Sequence, residues 1–218
     1  MSLRTWMWIA LALAAGGWWY SSSSPRASLH AHAPAAATPG ARIDCPPPPR
    51  AAPGSEPLQS AVPGTLSSFR LAAAELRPLA GFSLDARVLS REDYALGREA
   101  TLSPTDLALG WGRMREDAVL SRLDISQSGR WYQYRWQGEP PLPPTEIVRS
   151  SANMHMIPAD AAAAAALARV REGERVRIEG WLVEAVAPDG WHWRSSTTRD
   201  DSGNGACELI YVCSITSE

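Results

Sequence analysis

The segment from Pro158 to Ile215 constrains the fold most, because a strong helix signal is followed there by three strand signals. Asp160, a run of six alanines and Gly173 mark the start, the body and the end of the clearest helix in the chain. Apolar and polar residues then alternate in three segments, 174–186, 191–196 and 206–215, as in half-buried strands. A helix followed by consecutive strands favours an α+β domain with a mostly antiparallel sheet.

Two details of this segment predict local geometry. The alternation over 174–186 changes phase at Gly180, which predicts a bulge or a bend there. The turn residues at 187–190 predict a hairpin between the first two strands. The last strand places a set of side chains on one face, namely Cys207, Leu209, Tyr211, Cys213 and Ile215.

The preceding residues predict shorter elements. Alternation over 81–90 indicates a strand, and the aromatic-rich segment 130–136 indicates another. Helices are predicted at 69–76, where Ser67 and Ser68 provide a cap and Pro78 a stop, at SPTDLALGWG from Ser103, and at 117–123. The expected architecture is a small, strongly bent sheet of the OB-like or SH3-like barrel type, with a few helices.

The amino terminus carries an apolar run without charges from Trp6 to Tyr20. As a helix it spans about 22 Å, less than a hydrocarbon core of ~30 Å, but a helix over 3–24 reaches about 33 Å. Tryptophans flank both ends, as at membrane interfaces. We therefore predict that 1–24 is a transmembrane anchor, with a cleaved signal peptide as the alternative.

Arg4 is the only charge before the apolar run. The positive-inside tendency therefore places the amino terminus in the cytoplasm and the rest of the chain outside. The predicted location is the bacterial inner membrane, with a single pass and the carboxyl-terminal domain in the periplasm. The cytoplasmic membrane is thus one expected partner.

Composition divides the remaining chain in two. Residues 25–66 are rich in Pro, Ala and Ser and show no apolar period, which predicts a disordered tether. Residues 67–218 form the predicted single globular domain and contain 17 arginines and 21 acidic residues. Nucleic-acid binders usually have a basic domain. The charge balance therefore disfavours a nucleic-acid partner.

Three cysteines have separate expected environments. Cys207 and Cys213 are six residues apart on one predicted strand, about 20 Å, whereas a disulfide needs roughly 4.4 to 6.8 Å. We expect both to be buried thiols, with Cys45 a thiol in the tether. A disulfide to Cys45 is the alternative in an oxidising compartment.

Three segments together resemble a family of bacterial membrane-anchored envelope proteins with no assigned activity. The segments are SPTDLALGWG (103–112), SSANMHMIPAD (150–160) and SSTTRDDSGNGACELIYV (195–212). The resemblance covers roughly 79–218. It implies a bacterial envelope setting and implies no mechanism, ligand or catalytic residue.

Aromatic and arginine side chains form the first candidate site. The binding candidates are Trp131, Trp136, Trp191, Trp193, Arg135 and Arg194. Such residues provide stacking and charge for a glycan, a peptide or a single-stranded nucleic acid. The same strands also contain Tyr132 and Tyr134, and Arg130 is interleaved with the aromatic residues. We expect half of these aromatic residues to lie in the core.

Catalytic groups are scattered by comparison. Cys207 is a candidate nucleophile, with His155 or His192 as base and Asp200, Asp201 or Glu208 as the orienting carboxylate. A weaker alternative is a nuclease site made of Arg199, Asp200, Asp201 and Glu208. In an extended Met154-His155-Met156 segment the histidine points away from both methionines, so we expect no metal there. No other cofactor is predicted.

We therefore expect a non-catalytic binding or assembly module that uses its Trp/Arg face on an envelope protein or glycan. The alternative is a thiol-dependent hydrolase or transferase that acts on envelope polymers. The sequence leaves open whether the chain is an enzyme.

Overall fold

The computed structural model describes residues 51–198 and 206–218. Ten strands lie within these residues: β1 (Leu58–Ser60), β2 (Phe69–Arg70), β3 (Glu75–Asp93), β4 (Thr105–Gly110), β5 (Asp124–Ser128), β6 (Trp131–Arg135), β7 (Ser151–Pro158), β8 (Arg175–Val186), β9 (His192–Arg194) and β10 (Glu208–Ser217). The same residues form four α-helices: α1 (Arg98–Leu102), α2 (Asp117–Leu120), α3 (Pro144–Arg149) and α4 (Ala161–Arg169). A 3-10 helix lies at Gly112–Arg115.

Eight of these strands form one sheet, in the order β1-β3-β4-β7-β10-β8-β9, with β2 paired to β3. Residues 75–87 of the long strand β3 pair with β8, and residues 87–93 of the same strand pair with β4. These two pairings close β3, β4, β7, β10 and β8 into a ring. Of the strand pairs in the described residues, β7 and β10 alone run parallel. The predicted α+β class with a mostly antiparallel sheet is therefore confirmed.

Each face of this bent sheet packs against apolar side chains. One cluster takes residues from all five strands of the ring, including Leu84, Leu107, Met154, Ile178 and Ile210. A second cluster covers the opposite face, with Leu76, Trp181, Val183, Leu209 and Tyr211. A third lies beneath the β5–β6 hairpin. Burial on both faces explains why every residue of β4 and of β7 is buried.

The alanine-rich helix α4 is confirmed, and both of its ends are capped. Asp160 is the N-cap residue, and its Oδ1 accepts a hydrogen bond from the Ala163 N–H at 2.8 Å. At the other end Arg91 Nη1 donates to the carbonyl oxygens of Leu167 at 2.6 Å and Val170 at 3.1 Å. A cation there also suits the helix dipole. The caps fix α4, which connects β7 to β8 in the chain, against the ring.

Other elements agree with their sequence patterns. The predicted strand 81–90 lies within β3, and 130–136 contains β6. The β8–β9 hairpin forms around the turn at 187–190, and the last predicted strand is β10. Helix α2 starts at Asp117 as expected and ends at Leu120.

Two predicted helices are wrong. Residues 69–76 form a tight β2–β3 hairpin in which Phe69 pairs with Leu76. Pro78 does not stop the element, because it lies beside a register shift in β3, where the missing N–H is tolerated. The segment from Ser103 forms β4, and every residue of β4 is buried. A strand covered on both faces shows no polar alternation, so its apolar run imitated a helix.

The bulge predicted at Gly180 is also wrong, because the irregularity is in the partner strand. The register shifts between Val212 and Ser214 of β10, opposite Gly180. A Cβ on Gly180 would lie 2.1 Å from the Tyr211 carbonyl oxygen, so close backbone approach requires glycine there. The shift turns Ile215 into the first cluster, away from the face of Tyr211, which corrects the predicted common face.

Ordered packing begins ahead of residue 67. Strand β1 pairs with 81–83 of β3, and the buried Ala51 N–H donates to Ser83 Oγ at 3.2 Å. The end of the predicted tether, 25–66, thus contributes an edge strand. Across the described residues no helix has the length and apolar character needed to cross a membrane. The predicted anchor, 1–24, lies outside them.

The cysteine predictions are met in part. Cys213 is disulfide-bonded, which corrects the expectation that it is a buried thiol. Cys207 is half-buried and keeps its thiol, so the two do not bond to each other, as their separation predicted. Cys45 lies outside the described residues.

Candidate binding cleft

A cleft of about 480 Å³ opens on one side of the ring. Four separate parts of the chain contribute to it: helix α1, the β5–β6 turn, strand β7 and the connection from β8 to β10. The lining residues are Glu99, Arg130, Trp131, His155, Trp191, His192, Trp193, Arg194 and Cys207. The volume falls within the range of small-molecule sites, about 300–1,000 Å³.

The β8–β9 hairpin carries the aromatic wall of the cleft. Trp191 and Trp193 have ring centroids 6.2 Å apart in an edge-to-face arrangement. Asp189 Oδ1 accepts a hydrogen bond from the Trp191 N–H at 3.2 Å, which fixes the turn. The hydrogen bond from Arg98, and next the one from the Trp191 N–H, hold the pKa of Asp189 below its ordinary value. Asp189 is therefore a charged acceptor at the rim.

Arg130 occupies the two-residue turn between β5 and β6. Both turn residues have positive φ, 59° at Gly129 and 73° at Arg130, as in a type I′ hairpin. Arg130 is the only residue other than glycine with positive φ in the described residues. A left-handed conformation costs a residue with a Cβ about 1–2 kcal/mol, so other contacts must hold it.

Those contacts come from both the backbone and the side chain of Arg130. Its N–H donates to Tyr94 Oη at 3.0 Å, and its carbonyl oxygen accepts from Asn153 Nδ2 at 3.0 Å. The guanidinium lies over the Tyr94 ring, 3.8 Å from the centroid, and 5.5 Å from the centroid of Trp193. Arg130 is thus held in place beneath the aromatic wall.

Asp106 is the charged centre below the cleft and is fully buried. Its Oδ1 lies 2.7 Å from Arg130 Nη1, and its Oδ2 accepts from Asn153 Nδ2 at 3.2 Å. Asn153 is in turn fixed by Gln127, whose Nε2 donates to Asn153 Oδ1 at 2.6 Å. Burial, aided by the Asp106 charge, raises the pKa of Tyr94 to about 12.

His155 links this charged centre to the aromatic wall. Its Nδ1 lies 2.9 Å from Asp106 Oδ1, although the ring nitrogen does not point in the direction of a hydrogen bond. The imidazole centroid is 4.6 Å from the Trp193 centroid, and its side chain is only 3% exposed. The tryptophan therefore covers the histidine.

Most of the predicted site residues meet in this cleft. Trp131, Trp191, Trp193 and Arg194 from the binding set line it, together with His155, His192 and Cys207 from the catalytic set. Trp136 instead stacks on Tyr134 at 6.1 Å and packs on the third cluster, while Arg135 is exposed outside the cleft. Asp200, Asp201 and Arg199 lie outside the described residues, and Glu208 is buried.

The division of the β6 aromatics follows the period of the strand. Tyr132, Tyr134 and Trp136 pack on the third cluster, whereas Trp131 is 39% exposed. Three of the four aromatic residues in 131–136 thus pack on the core, and Trp191 and Trp193 pack on the second cluster, so more than the predicted half contacts the core.

The Met-His-Met segment also has the predicted geometry. Met154 and Met156 are fully buried in the first cluster, and His155 points to the other face. Within the residues that the structure describes, no three His, Cys, Asp or Glu side chains form a group that could hold a metal.

Sequence reasoning missed three important groups, Tyr94, Asp106 and Asn153. Asp106 lies in the segment from Ser103 whose sequence predicts a helix, whereas the structure forms strand β4 there. The Gly-Arg pair between two alternating segments was a usable hairpin signal, which would have placed Arg130 in a turn. No pattern in the sequence links this turn to Asp106.

No protein-family model, characterised protein or solved structure matches the chain. Segments 103–112, 150–160 and 195–212 each contribute a residue to the cleft or to the groups beneath it. They supply Asp106 on β4, Asn153 and His155 on β7, and Cys207 before β10.

Proposed function

We propose that the chain is a membrane-anchored, periplasm-facing binding module whose Trp/Arg cleft takes up an envelope ligand without transforming it. The observation that carries the proposal is a cleft in which an exposed tryptophan and the half-buried aromatic wall lie beside a fixed arginine. Trp131 is 39% exposed beside the half-buried Trp191 and Trp193. Rigid aromatic rings beside positioned polar groups are typical of ligand sites.

The strand order supports an OB-like interpretation of the ring. In chain order the five strands pair as first-second-third-fifth-fourth and back to the first, with a helix between the third and the fourth. OB folds bind oligonucleotides and oligosaccharides on their second and third strands, between the first-second and fourth-fifth loops. Asp106 and His155 are on the corresponding strands, and Glu99 and Trp191 are in the corresponding connections.

An exported location is supported by the predicted anchor and by the disulfide at Cys213, since disulfides persist in oxidising compartments. Protease treatment of intact cells and spheroplasts tests it. We expect the domain to be degraded only after the outer membrane is opened. Protection in spheroplasts would contradict the proposed orientation.

The binding role is tested by site-specific photo-cross-linking of the full-length chain in living bacteria. A benzophenone amino acid at position 131 should give an adduct with an envelope component, and the adduct should weaken when Trp191→Ala is added. The same probe at position 135 is the matched control, because Arg135 is exposed on the same strand outside the cleft. Equal adducts from both positions, or none from 131, would refute a cleft-directed role.

A second candidate function is a thiol-dependent hydrolase or transferase. Cys207 and His155 line the same cleft, and Asp106 Oδ1 lies 2.9 Å from the imidazole. The nucleophile precedes β10, and the base and the carboxylate lie on the neighbouring strands β7 and β4. Binding is favoured because Trp193 covers the histidine. Rapid iodoacetamide labelling of folded Cys207 near neutral pH, slowed by His155→Ala, would support the enzyme instead.

A further inference from the structure

The two arginines that line the cleft each lie beside a carboxylate. Arg130 Nη1 is 2.7 Å from Oδ1 of Asp106, which is fully buried. Arg194 Nη1 is 3.2 Å from Oε2 of Glu184, whose side chain is 18% exposed. Both positive charges are therefore neutralised by fixed partners before a ligand arrives.

A carboxylate also neutralises the arginine at the outer rim of the cleft. Arg98, whose guanidinium is 5.5 Å from the Trp191 centroid, makes two hydrogen bonds to the carboxylate of Asp189. Glu99 adds another carboxylate to the lining. The described side chains around the cleft thus present no surplus of positive charge, although they present many fixed hydrogen-bond donors and acceptors.

The apolar part of the cleft consists of separate indole faces. Trp191 and Trp193 meet at 61°, and Trp131 stands on the opposite hairpin with 39% of its surface exposed. Each of these separate, inclined rings offers a face to the C–H groups of one sugar ring in a puckered chain. The paired Arg and carboxylate groups at the edges can meet hydroxyl groups as donors and acceptors.

We propose that the cleft binds a neutral oligosaccharide. The inference rests on the proposed binding function and narrows it to one ligand class. A polyanion would have to compete with the carboxylates for every arginine, and single-stranded nucleic acid is normally held in a groove with excess positive charge. A neutral polyol uses the same ion pairs without separating them.

Calorimetric titration of the full-length chain, in a detergent without a sugar headgroup, tests the inference. The probes are the β-1,4 tetramers of N-acetylglucosamine and of glucose, with a thymidine octanucleotide and a tetragalacturonate as the anionic comparisons. We expect at least one neutral tetramer to bind with a Kd that changes less than about twofold between low and high salt. An anionic ligand would instead show the strong salt dependence of counterion release.

Two substitutions connect that binding to the cleft. Trp131→Ala should weaken it by at least about tenfold, whereas Trp131→Phe should retain most of it, because a ring remains for stacking. Arg135→Ala should leave it unchanged.

Three outcomes would overturn the inference: neither neutral tetramer binds, only an anionic probe binds, or the neutral tetramer binds equally well to Trp131→Ala. The proposed binding function is judged separately, because a cross-link from position 131 to a protein or to an anionic polymer would preserve the binding module and reject the neutral saccharide.

Discussion

Arg130 combines a strained backbone with a buried ion pair, and replacing it by alanine and by glycine separates the two effects. Both substitutions remove the guanidinium from Asp106 and from the Tyr94 ring. Only glycine also relieves the positive φ of 73°. The two variants should therefore differ by the relief of backbone strain, less the extra conformational entropy that glycine gives the unfolded chain.

The size of each effect follows from the surroundings. Removing one partner of a buried pair costs about 3–5 kcal/mol. The low end applies here, since the Arg130 side chain is 18% exposed and the Asp106 carboxylate keeps a hydrogen bond from Asn153. We expect Arg130→Ala to lower the free energy of unfolding by about 3 kcal/mol and Arg130→Gly by about 2 kcal/mol, because glycine recovers about 1 kcal/mol of strain.

Urea unfolding of the full-length chain, followed by far-ultraviolet circular dichroism, measures these differences. For a domain of this size 1 kcal/mol corresponds to about 2–4 °C in Tm, so thermal unfolding gives an independent check. Arg135→Ala, an exposed change on the same hairpin, should stay within about 0.5 kcal/mol. A glycine variant no more stable than the alanine variant would refute the claim of strain, and two neutral variants would refute the importance of the pair.

Three further outcomes follow from the fold. Gly180→Ala should lower the free energy of unfolding by about 3 kcal/mol or more, because its Cβ would lie 2.1 Å from the Tyr211 carbonyl oxygen. Gly64→Ala is the control, because nothing lies within 4 Å of a Cβ there. Equal Tm values for the two variants would contradict the close approach. Because Cys213 is disulfide-bonded, alkylation under denaturing conditions without reductant should modify one cysteine. After reduction, alkylation should modify all three cysteines of the chain. Three modified cysteines before reduction would exclude the disulfide. Since the pKa of Tyr94 is raised to about 12, the unfolded chain loses that proton first, and the free energy of unfolding should fall as pH rises between about 10 and 12. Tyr94→Phe should make that fall shallower in urea titrations, and an unchanged slope would count against the shift.

The sequence predicts best those elements whose signals are local. Helix α4 has a cap, a body of strong helix formers and a terminal glycine within one segment. The β8–β9 hairpin has a turn between two alternating segments. These signals do not depend on which other parts of the chain pack nearby, and the structure confirms the elements.

Elements determined by distant packing were not predicted. Strand β4 was assigned to a helix because Ser103, Pro104 and Asp106 imitate a helix start, and no polar alternation contradicted it. Its strand conformation depends on pairing with β3 on one side and β7 on the other. In the same way, the shift opposite Gly180 could be placed in β10 only once the pairing was known.

For the site, the sequence predicts the types of residue involved but does not predict how they come together. Four of six predicted binding residues and three of the six candidates for the thiol-dependent site line one cleft, because indole, imidazole and thiol side chains next to predicted turns are chemically distinctive. The residue that organises them, Asp106, lies in the segment from Ser103 whose sequence predicts a helix. Its carboxylate holds Arg130 from the β5–β6 turn and Asn153 from β7, and approaches His155 beneath the wall of Trp193. Because these partners come from two other parts of the chain, the β5–β6 turn and β7, the charge of the cleft is decided by pairing that composition alone does not reveal. A chain containing arginine and no lysine suggests anion binding, yet here the folded arrangement uses those arginines as fixed hydrogen-bonding groups.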